Sequence, residues 1–283
     1  MPKIELSNDM LETLVIQNTK NGASVTGVQK KLSLNIDTGK DGIRLTLVNC
    51  PAGYILKPQV EEFECLPEAE HLVMCMADAT GIATVPHALI WCEDELAYIT
   101  KRVDRIYASP KIKKLAMEDF CQLDLRLTAD KYKGSYERCS KIVREYSDKP
   151  GIDMAELFMR LVFSFVTGNS DMHLKNFSLI EGTDSGRYVL SPAYDLLPVN
   201  VIMPEDKEEY ALSMNGKKQN IRRKDFIVFA EGCDMPRTSA EKMIAKVLSM
   251  EAVYINMCKE SLLSEHLKSE LIELIKKRCE KLL

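Results

Sequence analysis

The chain has 283 residues, enough for one large domain or two lobes sharing a cleft, and its 46% apolar and 28% charged content excludes a disordered or fibrous protein. A formal charge of -4 argues against a protein that coats nucleic acid or an anionic membrane by itself, so no direct nucleic-acid binding and no membrane partner are expected. No run approaches the roughly 18 uninterrupted apolar residues of a bilayer span, and Met1 to Asn8 has no signal-peptide apolar core, so a cytoplasmic location is expected. The nine cysteines show no CxxC and no Cys/His cluster, and read as reduced, mostly buried thiols.

In chain order, Ser7 is placed to cap a short helix with Met10, Leu11, Leu14 and Val15 at helical spacing, and Asn21-Gly22 breaks it. Gly22 to Gln29 is a small, polar loop rich in backbone donors. Leu32, Leu34 and Ile36 alternate, Asp37 to Gly42 turns, and Ile43, Leu45 and Leu47 alternate again, which predicts a hairpin. A third strand, Tyr54 to Lys57, ends at Pro58. Leu72, Val73, Met76 and Ala77 predict a helix from Pro67 to Ala79, closed by Gly81. Strands follow near Ala88 to Trp91 and Leu96 to Thr100. The polar run Lys101 to Arg105 reads as a hinge, dividing the chain into 1–103 and 104–283. Residues 117–166 read as mainly helical, with an amphipathic stretch at Ser135 to Glu145 and an apolar one at Ala155 to Val166. A charged excursion occupies 200–220, and the last 60 or so residues read as helices. The expected fold class is α+β: a two-lobed, protein-kinase-like arrangement of antiparallel sheet plus one helix, then a mostly helical lobe.

The chemistry concentrates in Gly168 to Leu179. Asp171 and Asn176 are separated by four residues, the spacing of base and metal-ligand Asn in a kinase catalytic loop, and Asp195 follows a hairpin turn at Glu181 to Gly186. ATP chemistry requires a phosphate cradle, a cation on the phosphates, hard oxygen ligands for Mg²⁺, and a group orienting the attacking hydroxyl. Asp171 suits the last role, Asn176 and Asp195 the metal, and Lys175 the transferred phosphoryl group. His173 reads as a brace for the loop. Lys57 on the third strand suits the phosphate lysine, with Glu70 on the next helix as its ionic partner; Glu68 competes for that role, and periodicity separates the two no further. The loop at Gly22 to Gln29 is not GxGxxG, and its hydroxyls at Ser24 and Thr26 are its chemical content, while Gly27 and Val28 offer backbone to a nucleotide.

These residues resemble the HipA-like Ser/Thr kinases of bacterial toxin–antitoxin systems over roughly residues 20–270. Ser24 to Leu34 looks like that family's Ser-x-x-Gly-x-Gln-x-Lys loop, Tyr54 to Pro58 like its ATP-lysine strand, Arg102-Val103-Asp104-Arg105 like its hinge, and Glu118 to Gln122 like its Glu-Asp-x-x-Gln segment. Gly168 to Ser178 is similar to Gly-x-x-Asp-x-His-x-Lys-Asn-Phe-Ser, and Pro192 to Asp195 to Pro-x-Tyr-Asp. The resemblance implies Asp171 as base, Asn176 and Asp195 on Mg²⁺, Lys57 on the phosphates, the backbone near Lys101 to Val103 on adenine, and His173 and Gln122 lining the site. It implies Ser24 as an inhibitory autophosphorylation site, with Thr26 a second candidate, an aminoacyl-tRNA synthetase as substrate, and small antitoxin partners including a helix-turn-helix DNA-binding protein. Lys101 and Val103 depart from the long members' hinge, and the short stretch before Ser24 is more like the HipT form.

Two other readings stand beside this one. A small-molecule kinase would use the same loop on a free metabolite. A catalytically silent nucleotide-binding scaffold in a repressor complex would bind ATP without transfer, and has no need of Asp171, Asn176 and Asp195 together.

Overall fold

The computed structural model describes residues 3–4, 31–39, 42–47, 52–108, 111–182 and 186–283. The expected helix after Ser7 and the loop carrying Ser24, Thr26, Gly27 and Val28 lie outside them. Close packing divides the chain into one unit of Met1–His71 with Val85–Lys114 and another of Leu72–Thr84 with Leu115–Leu283. The sequence places the change at Lys101 to Arg105.

The first unit is built on a six-stranded sheet. Its strands are β1 (Lys3–Ile4), β2 (Leu32–Gly39), β3 (Gly42–Leu47), β4 (Tyr54–Pro58), β5 (His87–Cys92) and β6 (Glu95–Lys101), in the order β1-β5-β6-β4-β2-β3. β1 runs parallel to β5, and the other pairs are antiparallel. The predicted hairpin is β2–β3, in register from Leu34 opposite Leu47 to Gly39 opposite Gly42. Period-2 alternation sends Leu32, Leu34, Leu56, Ile90, Cys92 and Ala97 into a shared core, with Tyr54 and Ile99 against it. β4 is the inner strand between β6 and β2, so Lys57 sits in the middle of the sheet rather than on an edge. A further hairpin, β7 (Arg105–Ala108) and β8 (Lys111–Lys114), occupies the segment after the expected hinge.

Helix α1 (Leu66–Thr80) runs unbroken through the division, with Leu66, Ala69, Val73, Met76 and Ala77 buried at helical spacing. Gly81, at φ +92°, ends it in a conformation that side chains resist.

The second unit surrounds α4 (Pro150–Thr167). Pro150 opens this helix and Gly168 closes it in the left-handed conformation. Leu157, Phe158, Leu161, Val162, Phe163, Phe165 and Val166 are all buried, so the helix is apolar nearly all round and takes neighbours on every side. They include α3 (Tyr136–Tyr146), α7 (Arg237–Leu248) and α9 (Glu265–Leu282); the short α5 (Val199–Ile202), α6 (Arg223–Gly232) and α8 (Glu251–Glu260) complete the unit's helices. Phe226 packs edge-to-face on Phe158 and Phe165, and Phe163 on Tyr254. Ser135 and Ser264 cap α3 and α9 through their hydroxyls.

One expectation needs correction: 117–166 does not start as helix. Met117–Asp119 is a strand, β9, which pairs with β10 (Ser178–Glu181), itself paired with β11 (Tyr188–Leu190). Only α2 (Phe120–Leu123) and a 3₁₀ turn at Thr128–Asp130 precede α3. The pairing with β10 is non-local, and it overrides local propensity. Among the described residues no cysteine is in a disulfide, and no helix is long and apolar enough to cross a membrane.

Candidate active site

Gly168 to Phe177 turns from α4 into β10. At Gly168 φ is +73°, so the backbone favours glycine, and a Cβ there would also push the tip of the Leu274 side chain aside. The loop reads as polar, yet most of it is buried: Asn169 is 1% exposed, Met172 1%, His173 7%, Leu174 0% and Asn176 6%. Its backbone is held from several directions. Tyr136 Oη donates to the carbonyl of Met172 (3.0 Å), the Leu174 amide donates to Lys131 O (3.2 Å), and Phe120 N donates to Phe177 O (2.9 Å). Ser170 Oγ donates to Asp206 Oδ2 (2.7 Å).

Asp171 is half-buried and accepts a hydrogen bond from Tyr132 Oη at 2.9 Å. Tyr132 was not singled out in the sequence, because it lies in an irregular segment 39 residues upstream. Burial and the adjacent Asp171 carboxylate push its phenol up, so it remains a proton donor. Its ring stands edge-on to His173 with centroids 5.1 Å apart. Burial lowers the His173 pKa against the opposing pull of Asp171, which favours the neutral imidazole at neutral pH.

Lys175 Nζ donates to Asp119 Oδ2 at 2.6 Å. Asp119 also caps α2, its other oxygen accepting from the Gln122 amide while Gln122 Oε1 accepts from the Asp119 amide. Gln122 is exposed and uses its carboxamide oxygen to hold the residue that holds Lys175.

Asn176 Oδ1 is buried and accepts no hydrogen bond from the protein. Such an orphaned carbonyl oxygen costs about 1–3 kcal/mol, and a hard cation is the partner it suits. Asp195 takes φ +56°, an uncommon conformation for a residue other than glycine. Its neighbour Tyr194 is the link between the two segments. Tyr194 Oη donates to the carbonyl of Lys175 (3.1 Å) and receives the Ser178 hydroxyl (2.5 Å). One phenol thus fixes the backbone beside Asn176 to the backbone beside Asp195. The donor set, one amide oxygen and one carboxylate, fits Mg²⁺.

In the first unit, Lys57 and Glu70 are 3% and 2% exposed and paired at 2.5 Å. Glu70, the expected partner, and not its competitor Glu68, holds Lys57. Lys57 Nζ also lies 5.3 Å from the Tyr98 ring centroid. The amides of Lys101 and Arg102 donate to Pro86 O and Gly53 O, both at 2.8 Å, and Val103 follows in a turn.

The profile of the HipA-like C-terminal domain matches residues 23–254. The chain belongs to the HipA-like C-terminal domain family. Among curated relatives it is 30% identical over 214 residues to a Haemophilus influenzae protein named "Putative kinase", covering 70% of this chain and 59% of that one. It is 28% identical over 207 residues to "Putative kinase Y4mE" of Sinorhizobium fredii, covering 71% and 48%. The chain thus spans about half to three-fifths of the length of these relatives. Among solved structures, HipA from the Shewanella oneidensis MR-1 toxin–antitoxin complex of HipA, HipB and operator DNA matches with TM-score 0.77 and 19% identity, over 100% of this chain and 74% of that one. The Helicobacter pylori proinflammatory kinase CtkA matches with TM-score 0.58 and 13% identity, over 89% and 94%. At these identities the structures establish a shared fold.

Proposed function

We propose that this chain is an Mg²⁺- and ATP-dependent Ser/Thr protein kinase of two-lobed, protein-kinase-like build, acting as the toxin of a bacterial toxin–antitoxin system in the cytoplasm. The observation that carries the reading is the Asp171-x4-Asn176 loop with its buried, unpartnered Asn176 Oδ1, tied through Tyr194 to the segment bearing Asp195. Kinase-named relatives and the fold shared with CtkA support it. Asp171 orients and accepts the proton of the incoming hydroxyl. Asn176 and Asp195 hold Mg²⁺, which when bound neutralises phosphate charge. Lys57, fixed by Glu70, meets the nucleotide phosphates, Lys175 the transferred group, and backbone of the 101–103 segment the adenine. Positioning and charge stabilisation supply most of the rate.

The toxin role rests on the family and on the HipA–HipB–DNA assembly of the structural relative, which makes small antitoxins, one of them a DNA-binding protein, the expected partners. The substrate is read as an aminoacyl-tRNA synthetase, and Ser24 or Thr26 as the autophosphorylation site. A phosphate there adds about -1.5 to -2 charges and disfavours ATP beside it. Radiolabelled ATP with purified protein tests the catalytic reading: the parent labels itself, and Asp171→Asn and Asp195→Asn do not. Equal labelling by both variants overturns the mechanism. Turnover of free small molecules without protein labelling favours a small-molecule kinase, and tight ATP binding without transfer favours a scaffold. Intact-mass mapping places the added phosphate on Ser24 or Thr26, or sinks that part by finding it elsewhere.

A further inference from the structure

Two histidines 16 residues apart in sequence meet in the structure. His71 lies on α1 and His87 at the start of β5, and their Nδ1 atoms face each other at 2.9 Å. The rings cross at 68° with centroids 4.9 Å apart, so they converge at an edge rather than stack. Cys75 follows His71 by four residues on the same helix, which puts its thiol one turn along the same face and within the same potential ligand group. All three are half-buried, sheltered from bulk water yet reachable.

We propose that His71 and His87, with Cys75 as third donor, form a binding site for a borderline-soft divalent cation of the zinc class. Two imidazole nitrogens and a thiolate are a donor set that zinc prefers and magnesium does not. Ligand bonds of about 2.0–2.1 Å in a tetrahedral site separate two nitrogens by roughly 3.3 Å, so the pair has only to open by a few tenths of an ångström. On binding, the imidazole whose Nδ1 carries the proton moves it to Nε2, and the thiol releases one proton to solvent. The fourth position is left to water or a further ligand.

The site has a structural context of its own. His71 adjoins Glu70, the partner of Lys57, and His87 stacks on Tyr98 (5.8 Å, 27°), the ring over which Lys57 Nζ lies. A cation joining α1 to β5 therefore fixes the helical turn that presents Glu70. The proposal is independent of the kinase reading, because its test reads metal rather than phosphate.

The experiment uses the full, untagged chain stripped with a chelator and titrated with Co²⁺ and then Zn²⁺. One saturable equivalent is expected, with the visible bands of tetrahedral cobalt and a thiolate-to-cobalt charge-transfer band, both displaced by Zn²⁺, together with a rise in thermal midpoint. His71→Ala and His87→Ala each weaken binding by at least about tenfold, and Cys75→Ser removes the charge-transfer band. X-ray absorption on the unmodified zinc protein, which needs no variant to fold, should find two imidazoles and one sulfur. No saturable binding, octahedral cobalt alone, or unchanged affinity in the His71→Ala/His87→Ala double variant overturns the proposal.

Discussion

The phenol of Tyr132 donates to Asp171 Oδ1 at 2.9 Å, on a carboxylate proposed to receive an acceptor hydroxyl. Both groups seek the same lone pairs. Tyr132→Phe keeps the ring against His173 and removes the competitor. The expected result is a rise in kcat/KM for peptide phosphorylation of about fivefold, the equivalent of one ordinary hydrogen bond of ~1 kcal/mol. A fall instead would assign Tyr132 to positioning Asp171.

Asn176 offers an amide oxygen that the protein leaves unpaired. Asn176→Ala is expected to raise the Mg²⁺ concentration needed for half-maximal labelling by about tenfold or more, with little loss of stability, since an orphaned buried acceptor contributes nothing favourable to the fold. Titration of Mg²⁺ at fixed ATP, alongside thermal melts without metal, checks both halves.

Tyr194 bonds Lys175 O and Ser178 Oγ from one buried hydroxyl. Tyr194→Phe leaves the carbonyl short of a donor and should cost about 1–3 kcal/mol of stability. Because the link joins the two segments proposed to hold Mg²⁺, kcat should fall more than KM changes. Denaturant melts and steady-state kinetics separate the two effects.

Gly168→Ala faces two penalties, a left-handed φ and overlap with Leu274 Cδ2. A loss of about 1–3 kcal/mol is expected. Pairing it with Leu274→Ala should relieve the overlap, measured as a double-mutant cycle, while the backbone part persists.

Burial and the neighbouring His87 hold His71 down to about 4, against an ordinary value of 6.5. Above 6.5 neither the folded nor the unfolded chain protonates this group. Between 6.5 and 4 the unfolded chain binds a proton that the folded one refuses, so stability falls with pH across that window. In metal-free buffer, the urea midpoint should drop from pH 7 to pH 5 less in His71→Gln than in the parent.

What the sequence reveals divides by range. The β2–β3 hairpin, α1 and α4 were legible because their apolar periods are local, and Gly81 and Gly168 mark helix ends by backbone freedom alone. The Asp171 to Asn176 spacing was legible because a loop's chemistry is written in consecutive residues. β9 was not, since Met117–Asp119 becomes a strand only by meeting β10 about 60 residues later. Tyr132 and the Asp119–Lys175 pair were hidden for the same reason. Periodicity alone did not separate Glu70 from Glu68, because that needs the actual direction of a side chain toward Lys57. His71 and His87 form no cluster in the sequence because one lies on a helix and the other on a strand, and only the fold brings them together.

Asn169, His173 and Asn176 all bury polar atoms that lack protein partners, within one turn of chain. Each is an expense to the folded state that leucine or phenylalanine would not incur. Heat resistance and turnover therefore pull this loop in opposite directions. A laboratory evolution that rewards only survival at high temperature has every reason to dismantle the site first, and one that rewards turnover must find its stability elsewhere in the chain.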